Sequence, residues 1–156
     1  VITTKYLNHP LCCLGDRVEY RERVFCTAYD TEPYQNLFCT DPKDPSYDET
    51  IAQEGTLVAD EENQRLEAFV ADADLLVHDA QYTADEYAMD KKGWGHTSIE
   101  HAIAMARRNR IKRLALVHHD PMRTDQQLDD LSQIYCQKDT GEVEVFFARE
   151  GMEITL

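Results

Sequence analysis

Hydrophobic positions along the chain fall into short runs of strand length separated by polar turns, and helical spacing is confined to a few longer segments. Residues 2–7, 13–20 and 23–29 alternate or run apolar, which predicts three strands, with Arg21 and Glu22 as the tight connection between the last two. Residues 30–55 are rich in Pro and Asp, carry DPKDPSYDE at their centre and show neither period. A long surface loop over the site is expected there, not an interdomain linker. Leu66, Phe69 and Val70 then recur at helical spacing within residues 61–71, ahead of a strand over residues 74–77. Thr83-x-x-Glu86, Thr97-x-x-Glu100 and Thr124-x-x-Gln127 each match the capping box, in which hydroxyl and acid or amide satisfy orphan backbone donors, so helices are predicted to start near all three threonines. The second of these would bury Ile99, Ala102, Ile103 and Ala106 and collect Arg107, Arg108 and Arg110 at its carboxyl end, where the dipole favours cations. Residues 113–117 give a further strand, and residues 142–148 with 152–156 read as a closing hairpin around residues 149–151. The pattern is that of an α/β (α+β) chain with a mixed sheet flanked by helices.

Titratable side chains stand directly after two of the predicted strands. His78-Asp79 follows Leu75-Leu76-Val77, and His118-His119-Asp120 follows Leu114-Ala115-Leu116-Val117. Between them lies GWGHTS, a glycine-flanked loop carrying Trp94 and His96. Ligands gather at the carboxyl ends of strands in α/β architectures, so these clusters predict one shared site. His and Asp are the ligands that a hydrolytic metal prefers.

Composition narrows the classes. The 156 residues suffice for one domain with a core of its own. The formal net charge of −14 offers a polyanion no general attraction, which disfavours nucleic acid as a partner and leaves small or locally held phosphate esters open. Five cysteines form no C-x-x-C pair and leave one unpaired in any full disulfide scheme, so they read as reduced thiols of a cytoplasmic protein. No apolar run reaches membrane-spanning length, and the start lacks a signal-peptide pattern. VITTKYLNHP reads as the middle of a strand and lacks an initiator methionine, so upstream sequence is expected.

Taken singly, the candidate ligands carry different weight. His9 precedes Pro10, which biases it toward an extended conformation; a lone His there is commonly a solvated loop residue. Asp30 follows a predicted strand, where the ordinary use of an Asp is to open a loop by an Asx-turn. His118 has the strongest local case because it ends an apolar strand, while His119 should point to the other side. His101 sits within a helix and reads as a surface residue.

The motifs in their order resemble the C-terminal half of a metallo-β-lactamase-fold hydrolase, nearest the phosphodiesterase branch that includes ribonuclease Z and the PhnP-type enzymes. His9 before Leu14-Gly15-Asp16-Arg17-Val18, the triplet Tyr29-Asp30-Thr31, and Leu114-Ala115-Leu116-Val117-His118 are similar to the family's later metal motifs, although Tyr29 replaces a small residue. Leu75-Leu76-Val77-His78-Asp79-Ala80 and Gly95-His96-Thr97-Ser98 resemble the two motifs that distinguish the phosphodiesterase branch, with Asp79 in place of a Glu. The family's first metal motif, His-x-His-x-Asp-His, is absent, so the chain would be the C-terminal αββα half and an N-terminal half is expected upstream.

This resemblance implies metal ligation by His9, Asp30 and His118, catalysis by Asp79 and His96, and two divalent metal ions, zinc first and manganese or iron in its place. The implied reaction is hydrolysis of a phosphodiester by a metal-activated hydroxide, with His96, oriented by Asp79, stabilising charge or protonating the leaving oxygen. The plain alternative for Asp79 and His96 is a structural hydrogen bond at a helix start. Trp94 is the candidate for stacking on a base, against the commoner use of packing beneath its loop. Because the loop of residues 30–55 is acidic, with Lys43 its one basic residue, small or cyclic phosphodiesters come first as substrates and transfer RNA 3′ processing second. A non-catalytic binding or sensory module is the competing class. A half-fold standing alone would expose the apolar face its partner should cover, which predicts aggregation, homodimerisation or support by upstream sequence.

Overall fold

The computed structural model describes residues 1–136 and 143–156. Among these residues six strands form one sheet in sequence order: β1 (Ile2–Tyr6), β2 (Leu14–Tyr20), β3 (Arg23–Ala28), β4 (Leu75–Asp79), β5 (Arg113–Val117) and β6 (Glu144–Phe147). The first three are antiparallel and β3 through β6 are parallel, which makes the sheet mixed. Arg21 and Glu22 both take positive φ, the backbone of a two-residue hairpin turn matched to strand twist. The parallel strands are joined by helices, as crossover geometry requires: α1 (Glu49–Val70), α3 (Ile99–Arg108) and α4 (Asp125–Tyr135). The short α2 (Ala84–Glu86) starts at the Thr83 capping box and passes into a π-helical turn, Tyr87–Lys91.

Register assigns the two faces. Cys26, Leu76, Leu114 and Val145 are aligned across β3 to β6, and their row packs with Leu66 and Val70 of α1 and with Ile99, Ala102 and Ala106 of α3. On β1 and β2 the helix side is polar instead: Lys5 reaches Glu62, and Arg17 donates to the carbonyls of Phe69 and Ala71 at the end of α1. Their opposite face carries Ile2, Tyr6, Leu14 and Tyr20, all exposed.

Four expectations need correction. Residues 49–55 are helical, because α1 begins at Asp48, whose side chain accepts from the Ile51 amide, and continues for 22 residues. Its buried stripe of Ala52, Gly55, Ala59, Leu66 and Val70 is built largely of small residues, so the apolar period is faint in the sequence. Gly55 must be small: a Cβ there would lie 2.2 Å from Asn36 Oδ1 and 2.6 Å from Phe38 Cδ2, where the preceding loop lies against the helix. The cap of α3 is Ser98 rather than Thr97, whose hydroxyl donates to the Thr31 carbonyl. No closing hairpin forms among the described residues: β6 pairs in parallel with β5, residues 152–156 form no strand, and residue 142 lies outside the described residues. His101 is half-buried, lining a cavity with His78 rather than facing solvent. No helix among the described residues is long and apolar enough to cross a membrane.

Candidate functional site

The carboxyl ends of β3, β4 and β5 converge, and each ends in a different way. Asp30 follows β3 with φ 41° and His118 follows β5 with φ 60°, both left-handed conformations that a non-glycine residue adopts at a cost of about 1–3 kcal/mol. These bends turn the two side chains toward each other, and His118 Nε2 lies 3.2 Å from Asp30 Oδ1. Asp79 ends β4 in extended form and is fully buried. Its Oδ1 accepts from the amides of Thr97 (3.0 Å) and Gln81 (3.2 Å), and its Oδ2 lies 2.6 Å from His96 Nδ1 and 4.0 Å from His118 Nδ1.

Donor atoms of Asp30, Asp79, His96 and His118 all lie within 4.8 Å of one another. The rings of His96 and His118 stack at 4.5 Å between centroids. The hydrogen bond to Asp79 raises the proton affinity of His96 above that of an ordinary imidazole, against the opposing effect of burial. A cluster of two carboxylates and two imidazoles, lacking any Lys or Arg ion pair on Asp30 or Asp79 among the described residues, is chemically suited to a divalent cation.

The remaining expected residues lie around this cluster. His9 stands beside it, its ring centroid 5.4 Å from that of His96, with Nδ1 directed to the Leu11 backbone at 3.2 Å. It is outside the four-residue donor group. Trp94 is 54% exposed, with Lys91 Nζ 4.4 Å from its ring centroid, so it does not pack beneath its loop. His119, one residue past the left-handed bend at His118, stacks on Phe147. His78 is buried on the helix side of the sheet, and burial lowers its proton affinity.

Gly95 fixes the approach of the His96 loop. Its φ is +88°, and a Cβ would lie 2.3 Å from His9 Cδ2 and 2.5 Å from Pro10 Cδ, so this position tolerates no side chain. The motif segments of β4 and the glycine loop are paired directly: Tyr82 and Ser98 form a parallel bridge, and the Ile99 amide donates to the Tyr82 carbonyl.

One residue without a sequence signal occupies the centre of these loops. Glu32 is 4% exposed, and its carboxylate accepts from the amides of Gly93 (2.7 Å) and Gly95 (2.9 Å), from the Tyr87 hydroxyl (2.5 Å) and from Gln35 Nε2 (2.9 Å). Burial and this bond push the Tyr87 phenol far above its usual range. Flanked by Thr31 and Pro33, Glu32 belongs to no spacing pattern that could have singled it out.

No protein-family model matches the chain. It is 40% identical over 76 residues to ribonuclease Z of Thermococcus gammatolerans, covering 48% of this chain and 23% of that protein. It is 27% identical over 143 residues to ribonuclease Z of Lactococcus lactis subsp. cremoris, covering 75% of this chain and 44% of that protein. The structure is similar to the metallo-β-lactamase fold protein YhfI of Bacillus subtilis, with a TM-score of 0.58 and 17% identity over 97% of this chain and 47% of that one. It is also similar to the short form of human tRNase Z, with a TM-score of 0.55 and 19% identity over 99% of this chain and 42% of that one. The chain thus spans less than half the length of these relatives.

Proposed function

We propose that this chain, ribonuclease Z-like in sequence and of metallo-β-lactamase fold, carries one side of the active site of a metal-dependent hydrolase that cleaves phosphodiester bonds in RNA. The observation that carries the reading is the convergence of the Asp30, Asp79, His96 and His118 donor atoms at three strand ends. The donor set fits a borderline divalent ion, zinc first and manganese or iron in its place. Asp30 and His118 would hold it, with His9 at the rim as a further ligand. Bound there, such an ion polarises the phosphoryl group and makes water a competent nucleophile near neutral pH.

The chain's own groups supply the proton chemistry. Asp79 is locked by two backbone amides, so its Oδ2 stays aimed at His96 Nδ1 and fixes the orientation of that ring. Nε2 of His96 is then the atom that holds a proton for the leaving oxygen, and the raised proton affinity of the ring keeps it available near neutral pH.

Ribonuclease identity in the relatives favours RNA over the small phosphodiesters placed first on charge grounds, with transfer RNA 3′ processing the leading form. A groove of about 360 Å³ runs beside His9, lined by Asn8, Pro10, Gln35, Leu37 and Lys92. Lys92 has no ion-pair partner among the described residues, and on the same loop Lys91, paired with Asp90, lies over the ring of the exposed Trp94. These groups suit a nucleotide flanking the scissile phosphate. The exposed apolar face of β1 and β2 suits a second layer supplied by an N-terminal half, in keeping with the greater length of the relatives.

The test compares two substrates in one preparation. Cleavage of a precursor transfer RNA at its 3′ trailer is expected, lost on chelation and weakened by salt. Turnover of bis(p-nitrophenyl) phosphate without any RNA cleavage at low salt would restore the small-phosphodiester reading, and absence of both would favour a non-catalytic module.

A further inference from the structure

We infer that Glu32 is a positioning residue, a buried anchor that holds the His9, Asp30 and His96 loops in mutual register. Its backbone amide donates to the Asn8 carbonyl at 2.9 Å, and its carbonyl accepts from Asn8 Nδ2 at 3.1 Å, which ties it to the loop bearing His9. By sequence it follows Asp30 by two residues. Its side chain grips the third loop through the amides of Gly93 and Gly95, one on each carboxylate oxygen, immediately before His96. Tyr87 adds the π-helical turn to the same carboxylate.

A carboxylate this buried ordinarily needs a cation, and Glu32 has no Lys, Arg or His ion pair among the described residues. Four hydrogen bonds take that place, two of them from backbone amides that each hold one oxygen of the carboxylate. Such a cradle recognises anions, and here the protein fills it with its own side chain. Because Gly95 is pressed against His9 and Pro10, a loop released by Glu32 would move the neighbouring His96 away from Asp79 rather than relax in place. The hydrogen bonds of the Glu32 carboxylate go to Gln35, Tyr87, Gly93 and Gly95 rather than to the four clustered donor residues, so it acts on the site chiefly through those amides.

The role rests on His96 serving the site, but its first readout does not depend on activity. In the purified protein, Glu32→Ala is expected to speed hydrogen exchange at the Gly93 and Gly95 amides by about tenfold or more, leaving Leu76 and Leu114 in the sheet protected. Formate, a carboxylate small enough for the vacated cradle, is expected to restore much of that protection and, with it, phosphodiester turnover reduced by about tenfold or more. Glu32→Gln, which keeps the shape and one acceptor oxygen, should fall between the two and serves if the alanine variant does not fold. Unchanged exchange at Gly93 and Gly95 in a folded variant overturns the inference. So does a rise shared equally by Leu76 and Leu114 in both variants, which would make Glu32 a general stabiliser. A wild-type protein without turnover removes the catalytic reading of His96 while the exchange result still decides what Glu32 holds.

Discussion

Two buried aspartates bracket β4, and the contrast between them sets a carboxylate closed by Lys and Arg against one that faces imidazoles and is proposed to be chemical. Asp74, just before the strand, accepts from the Val24 amide at 2.8 Å and meets Lys112 Nζ at 2.7 Å and Arg23 Nη1 at 3.3 Å. The bond from Lys112, and after it the one from Val24, holds its carboxyl below the usual range. Asp79, at the other end, also takes backbone amides, but its side-chain neighbours are the imidazoles of His96 and His118. Permanent charges close the first site. A neutral imidazole can turn a lone pair to a metal, as proposed for His118, so the second site is the one suited to an exchangeable cation.

The largest expected effect breaks this contrast at its chemical end. Asp79→Asn should lower phosphodiester turnover by about two orders of magnitude or more while the thermal midpoint moves little, since Asn preserves the shape and one acceptor. The mirror experiment is Asp74→Asn, which should destabilise the fold by about 1–3 kcal/mol in denaturant unfolding with turnover per folded molecule unchanged. If both variants lose activity and stability in the same proportion, the division between the two ends fails.

Acid titration sharpens the same contrast. A folded-state carboxyl held low, as at Asp74, contributes stability above its unfolded pKa of about 3.9 that is lost as pH falls through its folded value, so Asp74→Asn should remove part of the slope below about pH 4. His101 acts in a higher window. Burial first, then His78 and Arg108, lower it from 6.5 to about 4, so the unfolded chain binds the extra proton between those values and stability declines as pH falls through them. His101→Gln should flatten that part of the unfolding profile; an unchanged profile would show that His101 does not carry it. The smallest effect is expected at the rim: Trp94→Ala should raise KM for RNA by about fivefold to tenfold, the low end of the loss of one stacked base, and leave hydrolysis of a small phosphodiester unaltered.

Much of the sheet was legible because its strands carry β-branched and apolar runs ended by turn residues, as at Leu114 to Val117. The Thr83 and Thr124 capping boxes were equally readable, since each is a local four-residue device. The start of α1 was not, because Ala52, Gly55 and Ala59 bury a small-residue stripe that gives little apolar period. His101 was misplaced for a related reason: its half-burial comes from a cavity between α1 and α3, which no helical wheel of α3 alone contains. At the site, His118 carries a local signal as the residue ending an apolar strand, while Asp30, Asp79 and His96 are legible chiefly through motifs that resemble a known family, and the left-handed turns at Asp30 and His118 that bring the four together leave no trace in composition. Glu32 was invisible because its partners are mostly 55 to 63 residues away in sequence or backbone amides.

Metal content per chain, measured by mass spectrometry on wild-type protein beside an Asp30→Ala, His118→Ala double variant, tests the central claim most directly. The expected result is bound divalent metal in the wild type that is lost in the folded double variant. Equal metal content in both, or none in wild-type protein supplied with zinc or manganese, would contradict the assignment of these strand ends as a metal centre.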